Sequence, residues 1–516
     1  QMCIRDRAKG TANKVWGYVP DRGERIVAPT IPSEVITPNN PPTGWGILGD
    51  IYSRGWQRTD NTNNFLSFFA TFAYSFKNRY VVNANVRNDA SNVFGQDINH
   101  RIDPTYSFGL SWRASEEAFF QKHLKWITTL NFRGTFGIQG NALTRESPEL
   151  ILSQQGVQPG YNRYFSTIGQ IPNPYLSWER TRNWNFGVDL ELFRMFYMNL
   201  EYYTRRSNAV ITVDLPFEYG IDDMKRNGGI IYNRGIEYTL SFTPIQKRDF
   251  SLNINLNASK NWNKGGETKI DRNTAMYLRG GSTQILKEGY PLSAFWSYSF
   301  AGLDGSNGKP MFNYVEVPDE EKSKSIDPTT YLVYSGETEP YFTGGLGFSF
   351  RYKSLSLNTS FSLLLGSKKR LPSPYSDFQG SGSMMPDPTK NVNRDLLNRW
   401  QKPGDEVYTN IPGLPTWPIE IGWTLPNTDS AESAIEMWEK SDAMVVSGSF
   451  LRCRNIGLSW QMKKEWCDKI HAKNLAINFN MDNIFVIASK RFNGFDPELE
   501  NSIMPRSFSL GLNIGF

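Results

Sequence analysis

The side chains that most often carry out chemistry are scarce in this chain and far apart. There are three histidines, His100, His123 and His471, and three cysteines, Cys3, Cys453 and Cys467, in 516 residues. A metal site needs such ligands at short, fixed spacings, and nucleophilic catalysis needs a base beside its nucleophile. Neither arrangement can be read from the sequence, and no Gly-x-Ser-x-Gly elbow is present. The acidic pair Glu116-Glu117 falls in a short polar turn. Asp304-Gly305-Ser306-Asn307-Gly308 has the look of a calcium loop but lacks the closing bidentate glutamate, so it reads as a turn. The acidic run from Asp429 to Asp442, with Glu432, Glu436 and Glu439, reads as the solvated face of a short helix. The sequence therefore predicts no enzyme, no cofactor and no metal.

Binding is the chemistry that remains. The stretch 367–449 holds Trp400, Trp417, Trp423 and Trp438 among many prolines. Indole faces stack on sugar rings and equally anchor protein interfaces, so these four are the candidate ligand or partner contacts, with packing inside the loop as the alternative.

The elements that must hold these residues are β-strands. Phe508, Leu510, Leu512, Ile514 and Phe516 alternate with Ser507, Ser509, Gly511, Asn513 and Gly515, a period of two. The same alternation runs from Leu66 to Phe76 and, after Lys77-Asn78-Arg79, from Tyr80 to Val86. It recurs over 106–113, 130–136, 184–192, 196–202, 236–242, 252–258, 346–352, 355–363 and 475–481, with weaker segments near 295–303, 311–317 and 450–460, about fifteen strands in all. Arg87, Arg133, Asp189, Glu191, Glu201, Glu237 and Arg351 sit mid-strand opposite the apolar positions, so that face must meet water or a polar lumen.

A soluble sandwich alternates too. Two further patterns favour a membrane barrel. Aromatic residues are 14% of the chain, and Trp112, Trp126, Trp184, Tyr202, Tyr203, Tyr352 and Trp460 crowd the strand ends as interfacial girdles do. Short turns at 77–79, 193–195, 244–249 and 353–354 alternate with long loops at 89–104, 139–178, 207–232, 264–292, 367–449 and 487–505, the asymmetry of an outer-membrane barrel. No run of eighteen apolar residues offers a transmembrane helix, and a net charge of +5 without a long basic cluster gives nucleic acid no foothold.

The predicted fold is thus all-β, an antiparallel transmembrane β-barrel present in part. Residues 1–10 read as a fragment boundary, 11–64 as loop and linker, and 65–516 as barrel. If the first hairpin turn and the C-terminus share one side of the membrane, the number of strands is odd, whereas a complete single-chain barrel has an even number. The expectation is a piece lacking its N-terminal strands.

Several strings carry a family resemblance. SFLRCRNIGLSW (449–460), NFNMDNIF (478–485), GFDPE (494–498) and PRSFSLGLNIGF (505–516) resemble the end of SusC/RagA-type TonB-dependent transporters. YSFKNRYVVNANVRNDASNVFG (74–95), GTFGIQGN (134–141), NPYLSWERTRNWNFGVDLELF (173–193), IIYNRGIEYTLSF (230–242), GYPLSAFWSYSFAGLD (289–304) and YFTGGLGFSFRY (341–352) are similar to its earlier blocks, in order. Cys453 departs from the aliphatic residue usual there. The resemblance implies a 22-stranded barrel around an N-terminal plug, with this chain as the plug-less C-terminal portion in the outer membrane. It further implies import of an oligosaccharide or peptide, driven by the TonB complex acting through the missing N-terminal part, beneath a SusD-like lipoprotein. Phe516, Ile514 and Leu512 then match the C-terminal signal read by the barrel-assembly machinery. A β-rich surface adhesin is the alternative, and it would be soluble without detergent.

Overall fold

The computed structural model describes residues 3–4, 65–91, 102–141, 149–158, 163–215, 217–221, 223–266, 277–281, 286–313, 327–375, 391–414, 421–424, 431–499 and 502–516. The linker expected over 11–64 lies outside the described residues, as does Trp417.

Fourteen strands form one antiparallel sheet in strict sequence order. Thirteen are long: Phe65–Phe76, Tyr80–Ser91, Ile102–Arg113, Ile127–Asn141, Glu179–Leu192, Phe196–Asp214, Asp223–Gln246, Phe250–Gly265, Phe342–Tyr352, Leu355–Leu365, Phe450–Gln461, Asn474–Ala488 and Ser507–Gly515. The fourteenth is the two-residue Cys3–Ile4, beside Leu66 and Ser67. Two of the weaker predicted segments leave this sheet. Ala294–Tyr298 pairs instead with Leu332–Glu337, and Phe300–Leu303 with Pro310–Phe312. The reason is visible in Ala294–Tyr298, where all five residues are buried, so no polar face exists to serve one side of a two-faced sheet.

The connections alternate as expected, with one correction. The predicted loop 207–232 is mostly strand: Ala209 to Asp214 pairs with Gly229 to Asp223, which prolongs a hairpin and leaves 215–222 as its connection. Ser207, Asn208 and the Lys225-Arg226-Asn227 stretch hid it, and Ala209-Val210-Ile211-Thr212-Val213 between them, with Val213 buried, has no two-residue alternation to mark a strand.

By contacts the chain divides into two compact units. The smaller comprises Gln1–Thr71, Asn85–Tyr106 and Gly140–Trp178. It contains the hairpin of Ile151–Gln158 with Arg163–Gln170, and Ser67 and Arg87 donate to Asp89 at 2.5 and 2.7 Å.

The larger comprises Phe72–Ala84, Ser107–Gln139 and Glu179–Phe516. Its strands present Trp184, Phe186, Leu200, Ile236, Leu458, Phe508 and Leu510 on one face, all exposed, Leu510 by 77%. Its buried core lies elsewhere, in the connections 266–341 and 366–449, where Leu278, Trp296, Tyr298, Phe312, Leu332, Tyr375, Met437 and Trp438 pack together. The helix Ala434–Glu439 enters this core through a capping box in which Ser433 and Glu436 satisfy each other's backbone. Glu436 of the acidic run is thereby a helix cap, while Met437 and Trp438 form the buried side.

Candidate functional site

Opposite the exposed apolar face, the same strands carry a continuous polar face. Registers place Asp189 beside Asn199 and Gly187 beside Glu201. Arg133 reaches Glu201 at 2.9 Å and Asp189 at 3.3 Å, Asn199 donates to Asp189 at 2.8 Å, and Thr129 donates to Glu191 at 2.9 Å. The next strands add amides and hydroxyls to the charged groups. Asn253 donates to Thr243 at 2.8 Å, Ser459 to Asn478 at 2.6 Å, and Asn455 and Ser507 both to Asp482 at 2.8 Å.

Glycine opens a groove of about 630 Å³ in this wall, lined by Asn255, Asn257, Thr343, Ser360 and Ser362 with Glu237 and Arg454. A Cβ on Gly345 would stand 2.4 Å from Asn257 Oδ1, so any side chain there would push into the amide row. Tyr203, expected in the aromatic girdle, belongs to this polar face as well. It lies over Gly235, which a Cβ would bring within 2.6 Å of the ring, and its hydroxyl donates to Asn261 at 3.2 Å. The cross-strand Tyr–Gly pairing explains why an aromatic faces inward there.

The predicted tryptophans separate. Trp438 is 2% exposed and its Nε1 donates to the Asn410 carbonyl at 2.9 Å, so it is a packing residue of the connection module and not a surface contact. Trp400 is half-buried, held by a hydrogen bond from Nε1 to Glu406 at 3.2 Å and by close approach to Gly308. Trp423 stands in the short strand Ile421–Thr424 opposite Glu432, and its side chain lies outside the described residues. Near Trp400 in sequence, Leu397, Val407 and Tyr408 are strongly exposed, Tyr408 by 89%. A cleft of about 410 Å³ between the module and the connection 489–506 is lined by Tyr408, Ile411, Trp438, Asp442, Arg491 and Phe495. The Asp304 turn forms as read: Asp304 accepts from the Ser306 N–H and hydroxyl, and these bonds hold its carboxyl below the usual range. In the module's interior Arg370 donates to the carbonyls of Arg279 and Trp296 at 2.8 and 3.1 Å, and burial with Arg279 nearby draws its guanidinium down to about 10.

One buried ion pair escaped the sequence reading. Arg452, 2% exposed, meets both oxygens of buried Asp496 at 2.7 Å and Glu498 at 2.9 Å, tying the connection 489–506 to the strand Phe450–Gln461. Its two halves lie in the strings SFLRCRNIGLSW and GFDPE, and an arginine at the parity of Phe450, Ile456, Leu458 and Trp460 was the available signal. Among the described residues, no group of three His, Cys, Asp or Glu could hold a metal.

The profile of the family described as TonB dependent receptor-like, beta-barrel, matches residues 28–366. The chain belongs to this family. Among curated relatives, the TonB-dependent receptor SusC of Bacteroides thetaiotaomicron is 25% identical over 88% of this chain, and the TonB-dependent receptor P3 of Formosa agariphila 23% identical over 88%. The RagAB peptide transporter shares the fold, with a TM-score of 0.69 at 22% identity over 89% of this chain. The chain spans about half the length of these relatives, 44% of SusC and 48% of the RagAB chain. This TonB-dependent receptor barrel is an outer-membrane protein, so its exposed apolar face is the one lipid covers. The relatives are receptors and transporters rather than enzymes.

Proposed function

We propose that the protein imports an oligomeric nutrient, a glycan or a peptide, across the outer membrane, driven through TonB and capped by a SusD-like lipoprotein. The observation that supports this is the polar face of the larger unit, where amides, hydroxyls and glycines line a groove beside an acidic network. Such a wall offers hydrogen bonds to a passing solute, with apolar surface from Leu346, Phe361 and Leu364 beside them. The exposed Leu397, Val407 and Tyr408 suit a lipoprotein seat, with Trp400 beside them as the remaining candidate contact. Residues 65–516 serve as the barrel portion, and Phe516, Ile514 and Leu512, all exposed on the last strand and its end, serve as its assembly signal.

The test is uptake of fluorescently labelled oligosaccharide and peptide libraries by cells carrying the intact gene, with and without a functional TonB. Loss of uptake in the TonB-deficient strain is expected. Equal uptake in both strains would overturn the reading.

A further inference from the structure

The short connections of the larger unit are joined to one another. Arg113 N–H donates to the Arg79 carbonyl at 2.7 Å, Phe193 to Trp126 at 2.8 Å, Thr243 to Met195 at 2.7 Å, Lys353 to Asp249 at 2.6 Å and Gln461 to Ser354 at 2.8 Å. Successive turns therefore make one rim. That rim is basic: 77–79, 114–126, 193–195, 247–249, 353–354 and 462–473 carry twelve Lys and Arg against five Asp and Glu. The long connections of the same unit, 215–222, 266–341, 366–449 and 489–506, carry 18 against 27. Eleven of the twelve rim cations are exposed, and among the described residues Arg79 is the one in an ion pair, with Glu117 at 3.1 Å.

Aromatic residues border the cations. Lys77 lies over the Phe76 ring and Lys353 over Tyr352, at 5.3 and 5.4 Å. The two longer turns each form a one-and-a-half-turn helix that exposes an aromatic next to lysine: Phe119, 55% exposed, in Ala118–His123 with Lys122, and Trp466, 49% exposed, in Lys464–Lys469 with Lys463 and Lys464. Trp466 packs edge-on against Trp460 of the strand, whose ring is on the lipid-covered face. Aromatic rings at the headgroup level with lysines beside them are the signature of a surface that binds anionic lipid.

We propose that this rim is a binding surface for anionic glycerophospholipid headgroups in the leaflet it meets, with the helices at Phe119 and Trp466 lying in the membrane interface. The fixed cations collect phosphate-bearing lipids of net negative charge around the short-turn end, while the acidic long connections do not.

The experiment uses the purified full chain in mixed micelles titrated with phosphatidylglycerol or phosphatidylcholine, with bound lipids counted by native mass spectrometry. Both lipids carry a phosphate, so their comparison isolates net charge. Phosphatidylglycerol is expected to bind at least several-fold more tightly. The triple substitution Lys122→Gln, Lys463→Gln, Lys464→Gln is expected to remove most of that preference, while Lys402→Gln with Lys490→Gln on the long connections leaves it unchanged. These side chains are exposed, so both variants fold, which heat-modifiable electrophoretic mobility checks. Equal binding of the two lipids, or equal losses in the two variants, would overturn the proposal.

Discussion

The strands of the larger unit and the module built from connections 266–341 and 366–449 use the same residue types in opposite ways. In the module, Trp296, Trp438, Tyr298 and Tyr375 are fully enclosed by other side chains. On the strands, Trp184, Phe186, Phe508 and Leu510 stand exposed. Water is the reference for the first and lipid for the second, and an aromatic-rich composition cannot distinguish them until each residue has been placed. The lesson is that a low overall hydrophobic fraction conceals two solvents within one chain.

This contrast can be broken by substitution. Trp438→Ala should cost about 3–5 kcal/mol of module stability, because a large buried ring leaves a cavity. The strands should be spared, so hydrogen–deuterium exchange should rise in 431–447 and stay level in 474–488; a uniform rise would show that module and sheet are not separable. Leu510→Ala at a lipid-covered site should by contrast change little in detergent. Leu510→Arg should cost about 2–4 kcal/mol if the residue lies near the bilayer midplane. Refolding into liposomes measures that loss, and a neutral outcome would place Leu510 near an interface.

The smallest effect concerns the Asp304 turn. Its carboxyl is held down chiefly by the Ser306 N–H, so its folded value lies below the unfolded one. The stabilisation is fully present above the unfolded carboxylate value and is lost as pH falls through the lower folded value. Exchange of the Ser306 amide, corrected for intrinsic rates, should accelerate on acidification below about pH 4, and Asp304→Asn should flatten that dependence.

The sheet was legible because its two faces repeat every second residue, as in Phe508 to Phe516. The module was not. Its core draws Leu278, Trp296, Leu332, Tyr375 and Trp438 from distant parts of the chain, and such contacts leave no local period. Trp400 and Trp438 look alike in sequence, yet one is half-buried and the other enclosed, which depends on what folds over them. The ribbon beyond Asn208 was missed for another reason: Ala209-Val210-Ile211-Thr212-Val213 is apolar or β-branched at consecutive positions, so it carries no two-faced pattern to read. The polar wall was visible as mid-strand Arg133, Asp189 and Glu201, but their joining into one network required the register.

Arg452 couples the fate of one strand end to a connection much further along the chain. Its carboxylate partner Asp496 lies 44 residues further on. A buried guanidinium without its partner is costly, on the order of 3–5 kcal/mol. The end of the strand Phe450–Gln461 and the connection 489–506 can therefore be buried only together, which makes two segments far apart in the chain one cooperative unit.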